Sequence, residues 1–256
     1  MIKGFLHYWL HAVNEHALQA PYVYTLYCDV IRRDESNASF KAIEAKRQTF
    51  LQCNDRILTH TLGAPSHVSL HPEQKVRSIA RHGLSSPKFS RLLYRLAVYQ
   101  KSEYIIELGT SLGINTLYLS QARPKANVYT FEGSAAVADQ AERIFDEPTY
   151  ANIRLVRGNI DQTLPEVLSR VPRVDLAFLD ANHRYEPTLR YFEQLVLKTN
   201  NQSVIVVDDI YWSEEMQQAW QAIKQHPTVT MSLDLFDAGM VLFTPLKVRQ
   251  DYTLMF

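Results

Sequence analysis

The sequence predicts an α/β fold: an open, doubly wound, mostly parallel sheet that follows an N-terminal helical extension. Two patterns indicate this fold. From residue 104 onward, short apolar runs rich in Val, Ile and Phe alternate with segments of helical periodicity, as strands and crossover helices do in a parallel sheet. Before residue 100, apolar residues recur mainly at helical spacing. We therefore expect a helical cap over residues 1–100 and an α/β domain over residues 101–256.

Composition and charge exclude several classes of partner. The chain has 256 residues, and its 27 Lys and Arg balance 27 Asp and Glu, so no net field favours nucleic acid or an anionic membrane. Its two cysteines, Cys28 and Cys53, are far apart in sequence and are expected to be free thiols in a reducing cytosol. No signal-peptide pattern or membrane-spanning apolar run is present, so we expect a cytoplasmic protein.

The N-terminal extension is expected to consist of amphipathic helices. The first presents an apolar face that we expect to dock on the main domain or on a partner subunit, which would make a homodimer; its residues are Phe5, Leu6, Trp9, Leu10 and Val13. Ser86-Pro87 predicts a helix start, because serine caps helices and proline fits the first helical position. The other expected elements are helices over Tyr22–Ile31, Phe40–Leu58 and Pro72–His82 and a loop over Thr61–Ser66.

The charge between His60 and Arg95 is one-sided. Glu73 is the only acid in this stretch, whereas its basic residues are Lys75, Arg77, Arg81, Lys88, Arg91 and Arg95. Two interpretations are open. The basic residues form a solvated helical surface, or they form a cap over the active site that attracts an anionic small molecule.

The best-defined motif is the stretch Ser102–Gly113, S-E-Y-I-I-E-L-G-T-S-L-G. It predicts a buried strand over Tyr104–Leu108, a tight turn from Gly109, and a helix over Ile114–Gln121. A strand, a glycine turn and a helix form a nucleotide-binding site in a doubly wound sheet. The second and third glycines of the dinucleotide fingerprint are absent, because Ser111 and Ile114 stand in their places.

The alternation of strands and helices continues to the C-terminus. Strands are expected over Asn127–Phe131, Ile153–Val156, Val174–Leu179 and Ser203–Val207, and helices over Ala135–Phe145, Leu164–Val171, Thr188–Leu197 and Glu214–Lys224. The last two strands, Val229–Leu233 and Met240–Phe243, have no helix between them. We therefore expect them to form a closing antiparallel pair.

Polar residues lie at or just after the carboxyl ends of five predicted strands, where open α/β sheets bind their ligands. They are Glu107 with Gly109, Glu132 with Gly133, Asn159 with Asp161, Asp180, and Asp208 with Asp209. Polar loops alone would also produce such a pattern. Glu132 is the most informative, because a carboxylate at the end of the second strand can accept hydrogen bonds from both ribose hydroxyls. That geometry suits NAD and S-adenosylmethionine alike.

Glu107, Gly109 and Gly113 resemble the first motif, E/D-x-G-x-x-x-G, of the class I S-adenosylmethionine-dependent methyltransferases. Residues 104–243 resemble their catalytic domain, particularly small-molecule O-methyltransferases of the catechol and caffeoyl-CoA kind. The resemblance implies a Rossmann-like sheet of seven strands, the last antiparallel, with the N-terminal helices covering the pocket. It also implies the cofactor site: Glu107, Gly109, Thr110, Ser111 and Gly113 around the methionine part, Glu132 and Gly133 at the ribose, Asn159, Ile160 and Asp161 at the adenine, and Asp180 nearby.

The same resemblance implies a divalent cation. In metal-dependent members an Asp ends the fourth strand and an Asp-Asn pair ends the fifth, positions that Asp180, Asp208 and Asp209 occupy here. Such oxygen ligands suit Mg²⁺, Mn²⁺ or Ca²⁺ rather than zinc. Asp209 replaces the usual Asn, and His183 replaces the expected lysine. The Asp180-x-x-His183 spacing also resembles a broader group of bacterial methyltransferases, some of which do not use metal in this way.

Two routes to methyl transfer are therefore open. A neutral His183 beside Asp180 can take the proton of the acceptor hydroxyl, or a bound cation can lower the pKa of that hydroxyl. Two other functions are also compatible with the sequence: an NAD(P)-dependent oxidoreductase of the same sheet class, and a catalytically silent module that binds the cofactor.

Overall fold

The computed structural model describes residues 2–33, 37–59 and 73–256. The chain forms two compact units, Met1–Asp34 with Leu168–Phe256, and Glu35–Val167. The loop expected over Thr61–Ser66 lies outside the described residues. The division of the chain into a cap and a catalytic domain at residue 100 stays a prediction.

The first unit begins with helices α1 (Ile2–His11) and α2 (Pro21–Leu26), and α2 continues as a π-helical segment, Tyr27–Ile31. The expected helix over 22–31 is thus confirmed. Tyr8 of α1 is buried, and its hydroxyl donates to the Leu254 carbonyl at 2.7 Å. The predicted apolar face lies largely outward, since its exposed residues are Phe5, Leu6, Trp9 and Leu10.

The second unit begins with α3 (Ala38–Gln52), a short antiparallel ribbon of β1 (Arg56–Leu58) and β2 (Glu73–Lys75), and helices α4 (Val76–Gly83) and α5 (Pro87–Tyr99). Two expected helices were therefore too long. Residues 56–58 and 73–75 pair with each other across a long sequence separation, which local periodicity does not reveal. The predicted cap is confirmed, because Ser86 Oγ accepts from the Phe89 N–H at 3.2 Å.

Strand–helix alternation then follows as expected. The elements are β3 (Tyr104–Leu108), α6 (Ile114–Ala122), β4 (Asn127–Glu132), α7 (Ala135–Phe145), β5 (Ile153–Arg157) and α8 (Ile160–Arg170). Strands β3, β4 and β5 pair in parallel in that order. Helix α8 begins four residues earlier than expected, because Asn159 Oδ1 accepts from the Asp161 N–H at 2.9 Å and caps the helix.

The C-terminal part of the first unit also alternates strands and helices before it ends in strands. Its elements are β6 (Leu176–Leu179), α9 (Tyr185–Val196), β7 (Val204–Asp208), α10 (Glu214–Gln225), β8 (Met231–Asp234), β9 (Ala238–Leu242) and β10 (Gln250–Thr253). Strands β6 and β7 are parallel, and β9 pairs antiparallel with both β7 and β8. The closing antiparallel pair is confirmed.

The expected number of seven strands was wrong by one. Strand β10 pairs in parallel with β8 and brings the sheet to eight strands within the described part of the chain. Its residues, Q-D-Y-T, carry no apolar run, because an edge strand does not need two buried faces. By contrast, all four residues of β6 and residues 204–207 of β7 are buried and apolar, as expected for interior strands of a mostly parallel sheet.

Candidate functional site

The carboxyl group of Glu107 lies fully buried near the end of β3. Its Oε2 accepts from the hydroxyls of Thr116 and Thr130, the latter at 2.6 Å, whereas its Oε1 has no hydrogen-bond partner. Burial raises the pKa of Glu107 to about 7. A buried acceptor without a partner fits a site that receives a polar group from a ligand. The sequence did not single out either threonine; the only signal was the inward position of Thr130 in β4.

The turn after β3 has a backbone that demands glycine. Gly109 and Gly113 have φ of +100° and +79°, and Ser111 between them has φ of +49°. A Cβ atom at Gly113 would lie 2.6 Å from the Phe145 ring, so no larger residue fits there without movement. The N–H groups of Gly109 and Thr110 both donate to the Phe131 carbonyl, at 3.1 and 2.9 Å. The turn is thus tied to the end of β4.

Glu132 ends β4, and both of its carboxylate oxygens accept backbone hydrogen bonds. Oε2 accepts from the Ser111 N–H and Oε1 from the Ser134 N–H, each at 2.9 Å. Burial raises the pKa of Glu132, and the N–H groups of Ser134, Ser111 and Gly133 oppose that shift. Each oxygen retains a second lone pair, so the carboxylate can still accept from two ligand hydroxyls.

The predicted adenine residues start α8 in the same unit. Asn159 caps the helix, and Ile160 and Asp161 form its first turn. The side-chain oxygen of Asn159 is therefore already used for capping. Contact of these three residues with an adenine ring stays a prediction.

A second cluster of polar side chains lies in the unit that contains residues 168–256. His183 Nε2 lies 3.5 Å from Asp180 Oδ1, and its Nδ1 lies 3.7 Å from Asp209 Oδ2. Three residues here adopt positive φ without being glycine: Asn182 at +71°, His183 at +45° and Asp209 at +56°. Backbone strain of this kind is concentrated at functional sites. The structure therefore brings His183 close to Asp180, the pair that the sequence suggested, and also close to Asp209.

The charges within this cluster are coupled. Burial raises the pKa of Asp208 well above its ordinary value, and the charge of Asp209 adds to this, whereas a hydrogen bond with Asp180 opposes it. Burial also raises the pKa of Asp209, and His183 opposes that shift. Burial lowers the pKa of His183, and the charge of Asp209 only partly offsets it. His183 therefore favours the neutral imidazole, the form that can accept a proton.

The predicted metal ligands do not fit a cation as they stand. Within residues 2–33, 37–59 and 73–256, no group of three His, Cys, Asp or Glu side chains is arranged to hold a metal ion. Without a cation, burial and the charge of Asp209 hold the pKa of Asp208 well above its ordinary value. A cation site would need these carboxyl groups to be ionised.

The basic segment divides between packing and surface positions. Arg95 is buried, and the Arg91 guanidinium lies 5.8 Å from the centre of the Phe40 ring. Arg81 and Lys88 are exposed. At least Arg91 and Arg95 thus have roles inside their own unit rather than in a surface field.

We expect Glu107→Gln to raise the melting temperature at pH 8 and to change it little at pH 5. The folded pKa of Glu107, about 7, exceeds the ordinary value of 4.5. The unfolded carboxyl therefore ionises first, and the stability that the protonated folded form contributes is lost as the pH rises through 7. That loss is on the order of 3 kcal/mol. The Gln oxygen still accepts from both threonines. Equal changes in melting temperature at pH 5 and pH 8, measured by calorimetry, would contradict the raised pKa of Glu107.

Comparison with known proteins finds methyltransferase similarity over part of this chain. Residues 106–210 match a family model described as a methyltransferase domain. The chain is 27% and 26% identical, over 138 residues, to proteins of Mus musculus and Rattus norvegicus that are both named transmembrane O-methyltransferase homolog. Each alignment covers 50% of this chain and 52% of the relative, so the chain spans about half the length of these curated relatives. Among the helices of the described ranges, none has the length and apolar character that crossing a membrane requires.

Solved structures share the fold at low identity. The SAH-bound methyltransferase PaMTH1 of Podospora anserina has a TM-score of 0.61 and 14% identity, covering 89% of this chain and 97% of its own. The O-methyltransferase TomG of Streptomyces achromogenes, in complex with SAM, has a TM-score of 0.58 and 17% identity, and the match covers 87% of this chain and 95% of TomG. The O-methyltransferase of Bacillus cereus, in complex with SAH, has a TM-score of 0.57 and 16% identity, and the match covers 86% of this chain and 97% of the other. These similarities establish the fold.

Proposed function

We propose that this chain, which contains a class I S-adenosylmethionine-dependent methyltransferase domain, transfers a methyl group from that cofactor to an oxygen of a small molecule. The observation that carries the proposal is the pair of carboxyl groups beside the glycine turn, of which Glu107 is buried and Glu132 half-buried. Glu107 has one oxygen without a partner, and Glu132 is held by backbone N–H groups with lone pairs to spare. The curated relatives that share half of the chain are named for O-methyl transfer.

The residues of the turn fit S-adenosylmethionine. Glu132 would accept the two ribose hydroxyls, and the unpaired Oε1 of Glu107 supports a role for the Glu107–Gly113 turn at the methionine part. Gly109 and Gly113 let the backbone approach closely. When bound, the cofactor supplies a sulfonium methyl group, which leaves the protein to position the acceptor and remove its proton.

His183 is the residue that we assign to proton removal. Its lowered pKa keeps the imidazole neutral, and the two carboxyl groups of Asp180 and Asp209 lie on opposite ring nitrogens. One of these carboxylates would orient the ring and stabilise the imidazolium that forms when the acceptor hydroxyl loses its proton. The other ring nitrogen would face the acceptor.

Four finer features of the protein are also proposed. The basic residues that α4 contributes, Arg77 and Arg81, support an anionic acceptor. The exposed apolar side chains of α1 support a homodimer. The two free cysteines support a cytoplasmic location. The carboxyl groups of Asp180, Asp208 and Asp209 support assistance by Mg²⁺, Mn²⁺ or Ca²⁺, because such cations prefer oxygen ligands.

A binding titration tests the proposal against the oxidoreductase alternative. We expect S-adenosylhomocysteine and S-adenosylmethionine to bind with a measurable Kd in calorimetry, and NAD⁺ and NADP⁺ to show no binding at the same concentrations. Ser111 and Ile114 stand where the dinucleotide fingerprint has its second and third glycines. The side chains at these positions keep a pyrophosphate from approaching the backbone closely. Binding of NAD⁺ alone would overturn the proposal. Binding of S-adenosylmethionine without transfer to any phenol, catechol or carboxylate acceptor would instead favour the silent binding module.

A further inference from the structure

A buried arginine links α3, α5 and the residues just before α5. Arg47 in α3 is only 5% exposed, and its Nε donates to both carboxylate oxygens of Glu44, at 3.1 and 2.9 Å. Its Nη1 donates to the Ser85 carbonyl at 2.6 Å and its Nη2 to Ser90 Oγ at 3.1 Å. A planar guanidinium fixes several partners at once, which a lysine cannot do. Arg47 therefore sets the position of segment 83–86, the last residue of α4 and the three residues that join it to α5.

Asn115 holds the same segment from the other side. It is the second residue of α6, directly after the turn that ends at Gly113. Its Oδ1 accepts from Ser90 Oγ at 2.6 Å, and its Nδ2 donates to Ser85 Oγ at 2.8 Å. Ser85 is thus held by its carbonyl through Arg47 and by its hydroxyl through Asn115.

This segment, residues 83–86, lies against the glycine turn. A Cβ atom at Gly83 would lie 3.5 Å from Ser111 Oγ, which is van der Waals distance. Ser111 has φ of +49°, and its N–H donates to Glu132 Oε2 at 2.9 Å. A residue with this backbone conformation keeps it only when its surroundings hold it there. Arg47 and Asn115 therefore hold the residues next to Gly83, and Gly83 lies beside Ser111, whose N–H reaches the Glu132 carboxylate.

We propose that Arg47 and Asn115 are positioning residues for the cofactor: they hold segment 83–86 against Ser111 and so keep the Ser111 N–H on the Glu132 carboxylate. The proposal rests on the proposed function, in which Glu132 accepts the ribose hydroxyls. Neither residue needs to touch the cofactor. Their effect is on the affinity for it rather than on the methyl-transfer step.

The test compares three substitutions by calorimetry with S-adenosylhomocysteine. Asn115→Ala removes both serine contacts, and we expect the Kd to rise by about 5- to 20-fold, the range of coupling through a contact network. At saturating cofactor, kcat should stay within about twofold of the wild type, so that the loss appears in KM for S-adenosylmethionine. Asn115→Asp should restore most of the affinity, because its carboxylate accepts from both serine hydroxyls.

Tyr118→Phe is the matched control. The Tyr118 hydroxyl donates to Glu44 Oε1 at 3.0 Å and so belongs to the same network, one turn further along α6 and away from segment 83–86. It should lower the melting temperature as Asn115→Ala does and leave the Kd within about twofold. Equal weakening by both variants, or an unchanged Kd for Asn115→Ala, would overturn the positioning role. A wild type that binds no S-adenosylhomocysteine would instead overturn the proposed function.

Discussion

His183→Asn is expected to lower kcat for methyl transfer by about 10²- to 10⁴-fold, the usual contribution of a general base, and to leave the Kd for S-adenosylhomocysteine within about twofold. Asparagine is the appropriate replacement, because His183 has φ of +45° and asparagine tolerates the left-handed region better than other side chains do. The loss can then be assigned to the imidazole rather than to a changed backbone. Single-turnover rates at saturating cofactor measure the effect.

His226→Asn is the matched control for this substitution. His226 lies in the same unit, where Nδ1 is 2.8 Å from Thr228 Oγ1 and Nε2 is 3.3 Å from Glu193 Oε2. Its ring also packs edge-on against Phe192. Losing these contacts should lower stability without changing kcat. If His226→Asn and His183→Asn reduce the rate equally, His183 has no special role.

The metal-assisted route makes a different prediction for the same cluster. Under that route Mg²⁺, Mn²⁺ or Ca²⁺ raises the melting temperature, a chelator reverses the shift, and Asp180→Asn removes it. Under the route that we propose, melting curves of wild type and Asp180→Asn respond alike to cation and to chelator. The second outcome is favoured because, in the described part of the chain, no three His, Cys, Asp or Glu side chains are arranged to hold a cation.

Glu132→Gln is expected to weaken binding of S-adenosylhomocysteine by about 10- to 100-fold, which corresponds to hydrogen bonds with a charged acceptor worth roughly 1.5–3 kcal/mol. The Gln side chain keeps the volume and one oxygen. The carboxylate now accepts hydrogen bonds from the N–H groups of Ser111 and Ser134. The amide nitrogen of Gln would face one of these two donors and could not accept from it. The free protein should therefore also melt at a lower temperature.

Glu142→Gln provides the control for the loss of a carboxylate. Glu142 lies on α7, is exposed, and pairs with Arg157 at 2.7 Å. Surface ion pairs contribute little to stability, so this variant should bind the cofactor and melt nearly as the wild type does. An unaltered Kd for Glu132→Gln would show that this carboxylate does not hold the ribose.

Most of the sheet was predictable from local pattern. Strand β3 and helix α7 begin and end where their apolar periodicity predicts, because buried strands and amphipathic helices are encoded by neighbouring residues. The ribbon of β1 and β2 and the edge strand β10 were not predicted. Each depends on pairing with a segment far away in sequence, and neither carries the apolar alternation of a strand with a buried face.

The basic segment shows the same limit for side chains. Its charges suggested either a solvated surface or an anion-binding cap, but Arg95 is buried and Arg91 packs over Phe40. An arginine stem covers apolar surface as well as carrying charge, so a count of charges does not say where the side chain goes. The network around Arg47 was missed for a related reason: its partners come from α3, α5, α6 and the segment before α5.

The sequence by itself determined the strand–turn–helix at Gly109–Gly113, the carboxylate at the end of β4, and the spacing of Asp180 and His183, because these depend on local periodicity and on glycine. Only the tertiary structure decided what those groups can do. It left one oxygen of Glu107 without a partner, placed His183 between Asp180 and Asp209, and joined Asp208 to Asp180. Burial and hydrogen bonding set the protonation of a carboxyl or an imidazole, and both depend on residues that only folding brings together.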